Sequence, residues 1–180
     1  MRVSLLGPTN IKKFSSIIGK DSAEIEQLAK EIGIILAKKK CELQVVFNLS
    51  GMLKMVADAY KSAGGKLTML YTENDYDWET KPYLPLLKEA DKKIKYNTWH
   101  DMLLALVSDA EYVVCAGLSA GVFAELAYIK WNHQENKCKI KSLVGIAEFL
   151  RDGTFPPEVA YDLNDKIVYT NVKELANALR

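Results

Sequence analysis

Short runs of consecutive apolar residues alternate along this chain with amphipathic stretches of helical period, a rhythm that predicts an α/β fold. Val3 to Leu6, Leu43 to Phe47, Leu67 to Leu70, Ile94 to Tyr96, Tyr112 to Cys115, Ile140 to Ile146 and Ile167 to Tyr169 read as strands. Most are apolar without alternation, the pattern of strands covered on both faces. After Asp21, with Glu24 three residues on as in a capping box, Ile25, Leu28, Ala29, Ile32 and Leu36 predict a helix from Asp21 to about Lys39. Met52, Val56, Ala59 and Ala63 predict a second, stopped by Gly64-Gly65, and Thr98 with Asp101 caps a third carrying Met102, Leu103 and Leu106. Another helix runs through Glu125, and Asn171 with Glu174 opens a terminal one. Strands joined by helices imply right-handed crossovers, so the expectation is one domain over residues 1–180 with a mostly parallel sheet of about six or seven strands and helices on both faces.

Two segments break the rhythm. Thr72 to Pro85 is acidic, aromatic and twice interrupted by proline, and reads either as a lid over a ligand or as an irregular crossover. Phe149 to Asp165, with Gly153 and Pro156-Pro157, reads as a surface excursion.

Three turns of small residues follow strands: Gly7-Pro8-Thr9-Asn10, Asn48-Leu49-Ser50-Gly51 and Ala116-Gly117-Leu118-Ser119-Ala120-Gly121. The last runs directly into a helix. Glycines let backbone amides approach a ligand, and a helix start presents unpaired donors with a partial positive charge, so an anion site is expected there. In an open α/β sheet these turns converge at the C-terminal ends of the strands.

Composition narrows the partners. Lys+Arg 24 against Asp+Glu 23 gives a net charge of +1, which excludes a broad nucleic-acid surface and a membrane-seeking face. Cys41, Cys115 and Cys138 are odd in number and contain no Cys-x-x-Cys pair, arguing against a disulfide framework and against zinc. No cluster has metal-ligand spacing. A reducing cytoplasm fits these thiols, and because no apolar run approaches the roughly 20 residues of a membrane span, a soluble, cytoplasmic protein is expected. Cys115, on an apolar strand without a basic partner, reads as an inert core thiol. The Gly-x-Gly-x-x-Gly fingerprint is missing after the first strand, which disfavours a nicotinamide dehydrogenase. Gly117-Leu118-Ser119-Ala120-Gly121 also fits the nucleophile elbow of an α/β-hydrolase, but the only later histidine, His133, falls on the same helix and cannot reach back.

The order of these motifs resembles the LOG-like or "lysine decarboxylase-like" family of the SLOG superfamily, whose last loop reads Pro-Gly-Gly-x-Gly-Thr-x-x-Glu. Ser119 to Glu125 is similar to its second half, with Gly121 and Glu125 kept, Ser119 in place of a glycine and Val122 in place of threonine. Ala63-Gly64-Gly65 and Ser108-Asp109-Ala110 fall in the family's order too. The resemblance implies a Rossmann-like three-layer fold. It implies a mononucleotide or ADP-ribose-like ligand held by Gly7, Thr9, Asn10, Asn48, Ser50, Gly51 and the loop Gly117, Leu118, Ser119, Ala120, Gly121, Val122. Enzymatic members are phosphoribohydrolases that cleave nucleoside 5′-monophosphates at the N-glycosidic bond, and some relatives are thought to carry molybdenum cofactor. Glu125 stands where those enzymes keep their carboxylate, and His100 where they carry an arginine. A histidine lacks the arginine's permanent charge and bidentate fork, and Leu49 and Ser50 replace glycines of the second loop, so binding without turnover is the leading expectation. Glu125 as a structural carboxylate and His100 as a plain helix-surface residue are the alternatives. A homo-oligomer, dimer or tetramer, is implied by the resemblance alone.

Overall fold

The computed structural model describes residues 1–135 and 137–180. Among them, seven strands form one sheet: β1 (Arg2–Leu6), β2 (Glu42–Val46), β3 (Leu67–Tyr71), β4 (Lys92–Lys95), β5 (Tyr112–Cys115), β6 (Ser142–Ile146) and β7 (Ile167–Thr170). Their order is β4-β3-β2-β1-β5-β6-β7 and every pairing is parallel, with Val3 opposite both Leu43 and Tyr112. The central strands are buried along nearly their whole length, as their unbroken Val/Leu runs require. Chain order runs outward from β1 in one direction through β2, β3 and β4, and in the other through β5, β6 and β7. Crossovers therefore reverse between β1 and β5, leaving a crevice at the C-terminal ends of those two strands.

Helices α1 (Ile11–Ile18), α2 (Ser22–Lys38), α3 (Gly51–Ser62), α4 (Asp77–Thr80), α5 (Trp99–Ser108), α6 (Ala120–Gln134), α7 (Pro157–Leu163) and α8 (Leu175–Ala178) cover both faces. α2 packs on α3, and α5 packs on α6. The last turn of α5 is tied to the sheet by buried polar groups: Gln44 Nε2 donates to Leu106 O at 2.8 Å and to Ser4 Oγ at 2.6 Å, and Ser4 Oγ donates to the same carbonyl. That anchor satisfies a carbonyl no helix can pair internally. It also fixes the direction in which the other end of α5, with Trp99, meets the crevice.

One element is added and one expectation is corrected. Residues after the first turn are helical as α1, whose start is capped by Asn10 Oδ1 accepting from the Lys13 amide at 3.0 Å and whose end is Gly19 in a left-handed conformation at φ 68°. The segment 149–165 is not a surface excursion: Phe149, Leu150, Phe155 and Leu163 are buried in the core, and α7 lies within it. Burying such side chains contributes roughly 1.5–3 kcal/mol each, which outweighs the turn preference of Gly153 and Pro156-Pro157. Among the described residues no helix is long and apolar enough to cross a membrane, and no group of three or more His, Cys, Asp or Glu is placed to hold a metal ion.

Candidate functional site

A cavity of about 510 Å³ lies over the crevice between β1 and β5. Gly7 and Thr9 reach it from the turn after β1, Val46 and Asn48 from the end of β2, and Ser119, Ala120, Gly121, Val122, Ala124 and Glu125 from the start of α6. Tyr76, Trp78 and Glu79 close it from the segment after β3, with Trp99 and Leu103 of α5 beside them. The acidic, aromatic stretch from Thr72 is thus a wall of the cavity rather than a plain crossover.

Local hydrogen bonds hold that wall. Asp75 accepts from the Trp99 amide at 2.6 Å and so occupies a free donor at the start of α5, while Thr80 Oγ1 donates to the Asp75 carbonyl at 2.5 Å. Asn48 Nδ2 donates to Glu79 Oε1 at 3.1 Å, joining the wall to β2. Tyr76 takes a left-handed backbone at φ 50°, and its ring makes edge contacts with Trp99 at 6.1 Å and Trp78 at 6.5 Å. A non-glycine residue held at positive φ costs of order 1 kcal/mol, and such residues cluster at ligand clamps.

At the opposite side, Ser119 Oγ accepts from the Val122 amide at 3.3 Å and Ser119 O from the Phe123 amide at 3.0 Å. The amides of Ala120 and Gly121 are the first-turn donors left over, and both residues line the cavity. Fifteen residues of α6 stand behind them with their aligned dipoles.

Glu125 is 7% exposed, lines the cavity, and its carboxyl has no hydrogen-bond partner among the described residues. Burial pushes its pKa up to about 8, so it is mostly protonated at neutral pH. Asn48 is 8% exposed, and its Oδ1 is buried with no partner. Among the described residues, no lysine, arginine or histidine lines the cavity.

The residues singled out from sequence divide into two sets. Gly7, Thr9, Asn48, Ser119, Ala120, Gly121, Val122 and Glu125 share the cavity, while Asn10, Ser50, Gly51, Gly117, Leu118 and His100 are not part of its lining. Asn10 is the cap of α1. Gly51 sits at φ 51° under the β1 turn, where a Cβ would collide with the Thr9 carbonyl. Gly117, at φ 114°, packs on α1, and a Cβ there would lie 2.5 Å from Phe14 Cζ. Both glycines serve close packing of the protein's own loops. Gly117→Ala is accordingly expected to cost roughly 2 kcal/mol of stability from overpacking and backbone strain, read as a lowered urea midpoint.

His100 is an exposed residue of α5, its Nδ1 3.2 Å from Tyr128 Oη and its ring against Tyr76 at 6.2 Å, so it stands behind the wall. Ser119 is a helix cap, and His133 pairs with Asp165 at 2.9 Å, so no nucleophile elbow is assembled. Cys115 is fully buried and its thiol is raised to about 12 by burial, as an inert core residue requires. Tyr76, Trp78, Glu79, Trp99 and Leu103 were not predicted as site residues. The acidic, aromatic composition of the Thr72 to Pro85 stretch is the one signal for the first three, and Leu103 reads from sequence only as an apolar position of α5.

Fold and site together define a Rossmann-like α/β protein with a cation-free cavity at its topological switch point. No family model matches the chain, and no curated protein matches it significantly in sequence. Solved structures share the fold. The molybdenum cofactor carrier protein of Chlamydomonas reinhardtii superposes with a TM-score of 0.62 over 98% of this chain and 94% of that chain, at 16% identity. The molybdenum cofactor binding protein of the phototrophic bacterium Rippkaea orientalis does so with a TM-score of 0.66 over 98% and 93%, at 12% identity. At such identities the likeness is one of fold.

Proposed function

We propose that the chain is a one-domain carrier of a small heteroaromatic ligand bearing a single phosphate, of the molybdenum-cofactor type. The observation that carries this reading is the open amino end of α6: Ala120 and Gly121, whose amides have no partner within the helix, line a cavity also lined by Glu125, a buried carboxyl with no hydrogen bond among the described residues. A cavity of about 510 Å³ falls within the range of roughly 300–1,000 Å³ that encloses small-molecule ligands. The pterin-phosphate class fits what lines it: amides and a helix dipole for one phosphate, tryptophan and tyrosine rings for a flat heterocycle, and buried acceptors for its N–H groups. Without lysine or arginine in the lining, a triphosphate has nothing to neutralise it. When bound, the cofactor would supply its own metal–dithiolene chemistry elsewhere; this chain's residues hold and shield it. The fold shared with molybdenum cofactor carriers favours this cargo over the ordinary nucleotide implied by the LOG-like loop pattern.

Calorimetry of the purified protein with a pterin monophosphate and with mononucleotides tests the reading. Binding of the pterin phosphate in the micromolar range is expected, and no heat from any phosphate ligand at millimolar concentration would refute it. A second reading, hydrolysis of a nucleoside 5′-monophosphate, rests on Glu125 in the same cavity. Equal release of free base by wild type and Glu125→Ala would discard it.

The α6–α7 edge supports self-association in the cytoplasm. Phe123, Trp131 and Tyr161 are 43%, 66% and 82% exposed, and light scattering is expected to give a mass above the 20.2 kDa of one chain.

A further inference from the structure

The wall opposite α6 carries a chemical preference of its own. Glu79, as a carboxylate, offers only acceptors, so the Asn48 amide must turn its nitrogen toward it, and the 3.1 Å Nδ2–Oε1 bond fixes the amide's sense. Asn48 Oδ1 is thereby left buried and unpaired at the cavity wall, and Glu79 keeps a second oxygen with no hydrogen-bond partner among the described residues. An unpaired buried acceptor costs about 1–3 kcal/mol, a penalty that a ligand carrying N–H or O–H donors removes. Beside these acceptors stand the rings of Tyr76, Trp78 and Trp99, the first locked in its left-handed backbone.

We infer that Asn48 and Glu79 receive the donor edge of a 2-amino-4-oxopyrimidine ring, the unit common to pterins and guanine, and that adenine rings are refused. This rests on the reading of the cavity as a phosphate-ligand site. The ring presents an amino group next to a ring N–H, two adjacent donors for the free oxygens of the hydrogen-bonded Asn48–Glu79 pair. Adenine sets a ring-nitrogen lone pair beside its amino group, so one of the two acceptors would face another acceptor, and its own desolvation would go uncompensated. Hypoxanthine keeps the ring N–H and loses the amino group, so it fills half of the pair. The aromatic side chains then stack on any of these rings without distinguishing them, which leaves the choice to Asn48 and Glu79.

Calorimetric titration with GMP, IMP, AMP, ribose 5-phosphate and pterin monophosphate, on wild type and Glu79→Gln, separates this inference from the one beneath it. GMP and the pterin are expected to bind at least tenfold more tightly than AMP and IMP, and Glu79→Gln to erase that preference. A thermal melt of the variant establishes that it folds. Equal affinity for all five ligands would overturn the ring assignment and leave the phosphate site standing. A guanine preference that survives in Glu79→Gln would overturn the role of Glu79. Absence of binding by every ligand would overturn both readings.

Discussion

Replacing Glu125 with glutamine is expected to stabilise the protein, by about 3 kcal/mol at pH 7 and by nothing measurable near pH 4. The sign follows from the direction of the pKa shift. Burial raises the carboxyl from 4.5 to about 8, so the folded state holds the proton more tightly than the unfolded chain does. Below 4.5 both states are protonated and the residue costs nothing through ionisation. Between the two values the unfolded chain ionises freely and the folded one does not, so stability falls by about 1.4 kcal/mol per pH unit and levels off above the folded pKa. Glutamine keeps the shape and polarity of the protonated acid and cannot ionise. For a chain of 180 residues, melting should rise by roughly 6–12 °C at pH 7. Parallel thermal melts of wild type and variant from pH 4 to pH 9 read the divergence directly; curves that stay parallel would mean that the carboxyl is partnered in solution. A buried acid without a partner is what a chain selected only for stability discards, and its place among the cavity residues is the reason to read it as functional.

What was legible from sequence follows the physics that dominates each region. Strands buried on both faces must be continuously apolar, so Val3 to Leu6 and Tyr112 to Cys115 announce themselves, and their helical links fix a parallel sheet. α1 was missed because Ile11, Phe14 and Ile18 make only two turns between Pro8 and Gly19, too short a period to stand out beside the strong cap at Asp21. Its actual signature was Asn10 at one end and a left-handed glycine at the other. In 149–165, turn residues masked side chains whose burial depends on distant partners: Phe155 packs on Tyr169 of β7 at 5.8 Å.

The site shows the same limit. A glycine after a strand means that something approaches the backbone closely, but sequence does not say what. At Gly121 the cavity is adjacent; at Gly7, Gly51 and Gly117 the close neighbour is the chain itself, through Met52, Thr9 and Phe14. The aromatic wall was visible only as an irregular stretch, because Tyr76, Trp78 and Glu79 acquire their meaning from Asn48 and Trp99, which lie 28 and 23 residues from Tyr76 along the chain.

Gly121→Asp is expected to weaken phosphate-ligand binding roughly 100-fold while making the folded protein slightly more stable. Gly121 is the second residue of α6, on the cavity, and a Cβ built there meets nothing nearer than Ser119 Oγ at 3.8 Å, so the aspartate fits without strain. An acidic side chain in the first helical turn interacts favourably with the dipole, and replacing glycine there removes unfolded-chain entropy, together about 0.5–1 kcal/mol. The same carboxylate would occupy the charge and the donors that a phosphate needs. At about 4 Å in a partly shielded cavity, repulsion between two such anions is of order 4 kcal/mol, part of which the ligand escapes by shifting. Opposite signs on stability and binding distinguish a ligand site from a packing feature, since a damaged fold would lose both. Gly121→Asn adds the same bulk without the charge and should keep most of the affinity. If calorimetry with GMP found Gly121→Asp equal to wild type, no anion would be seated at the start of α6.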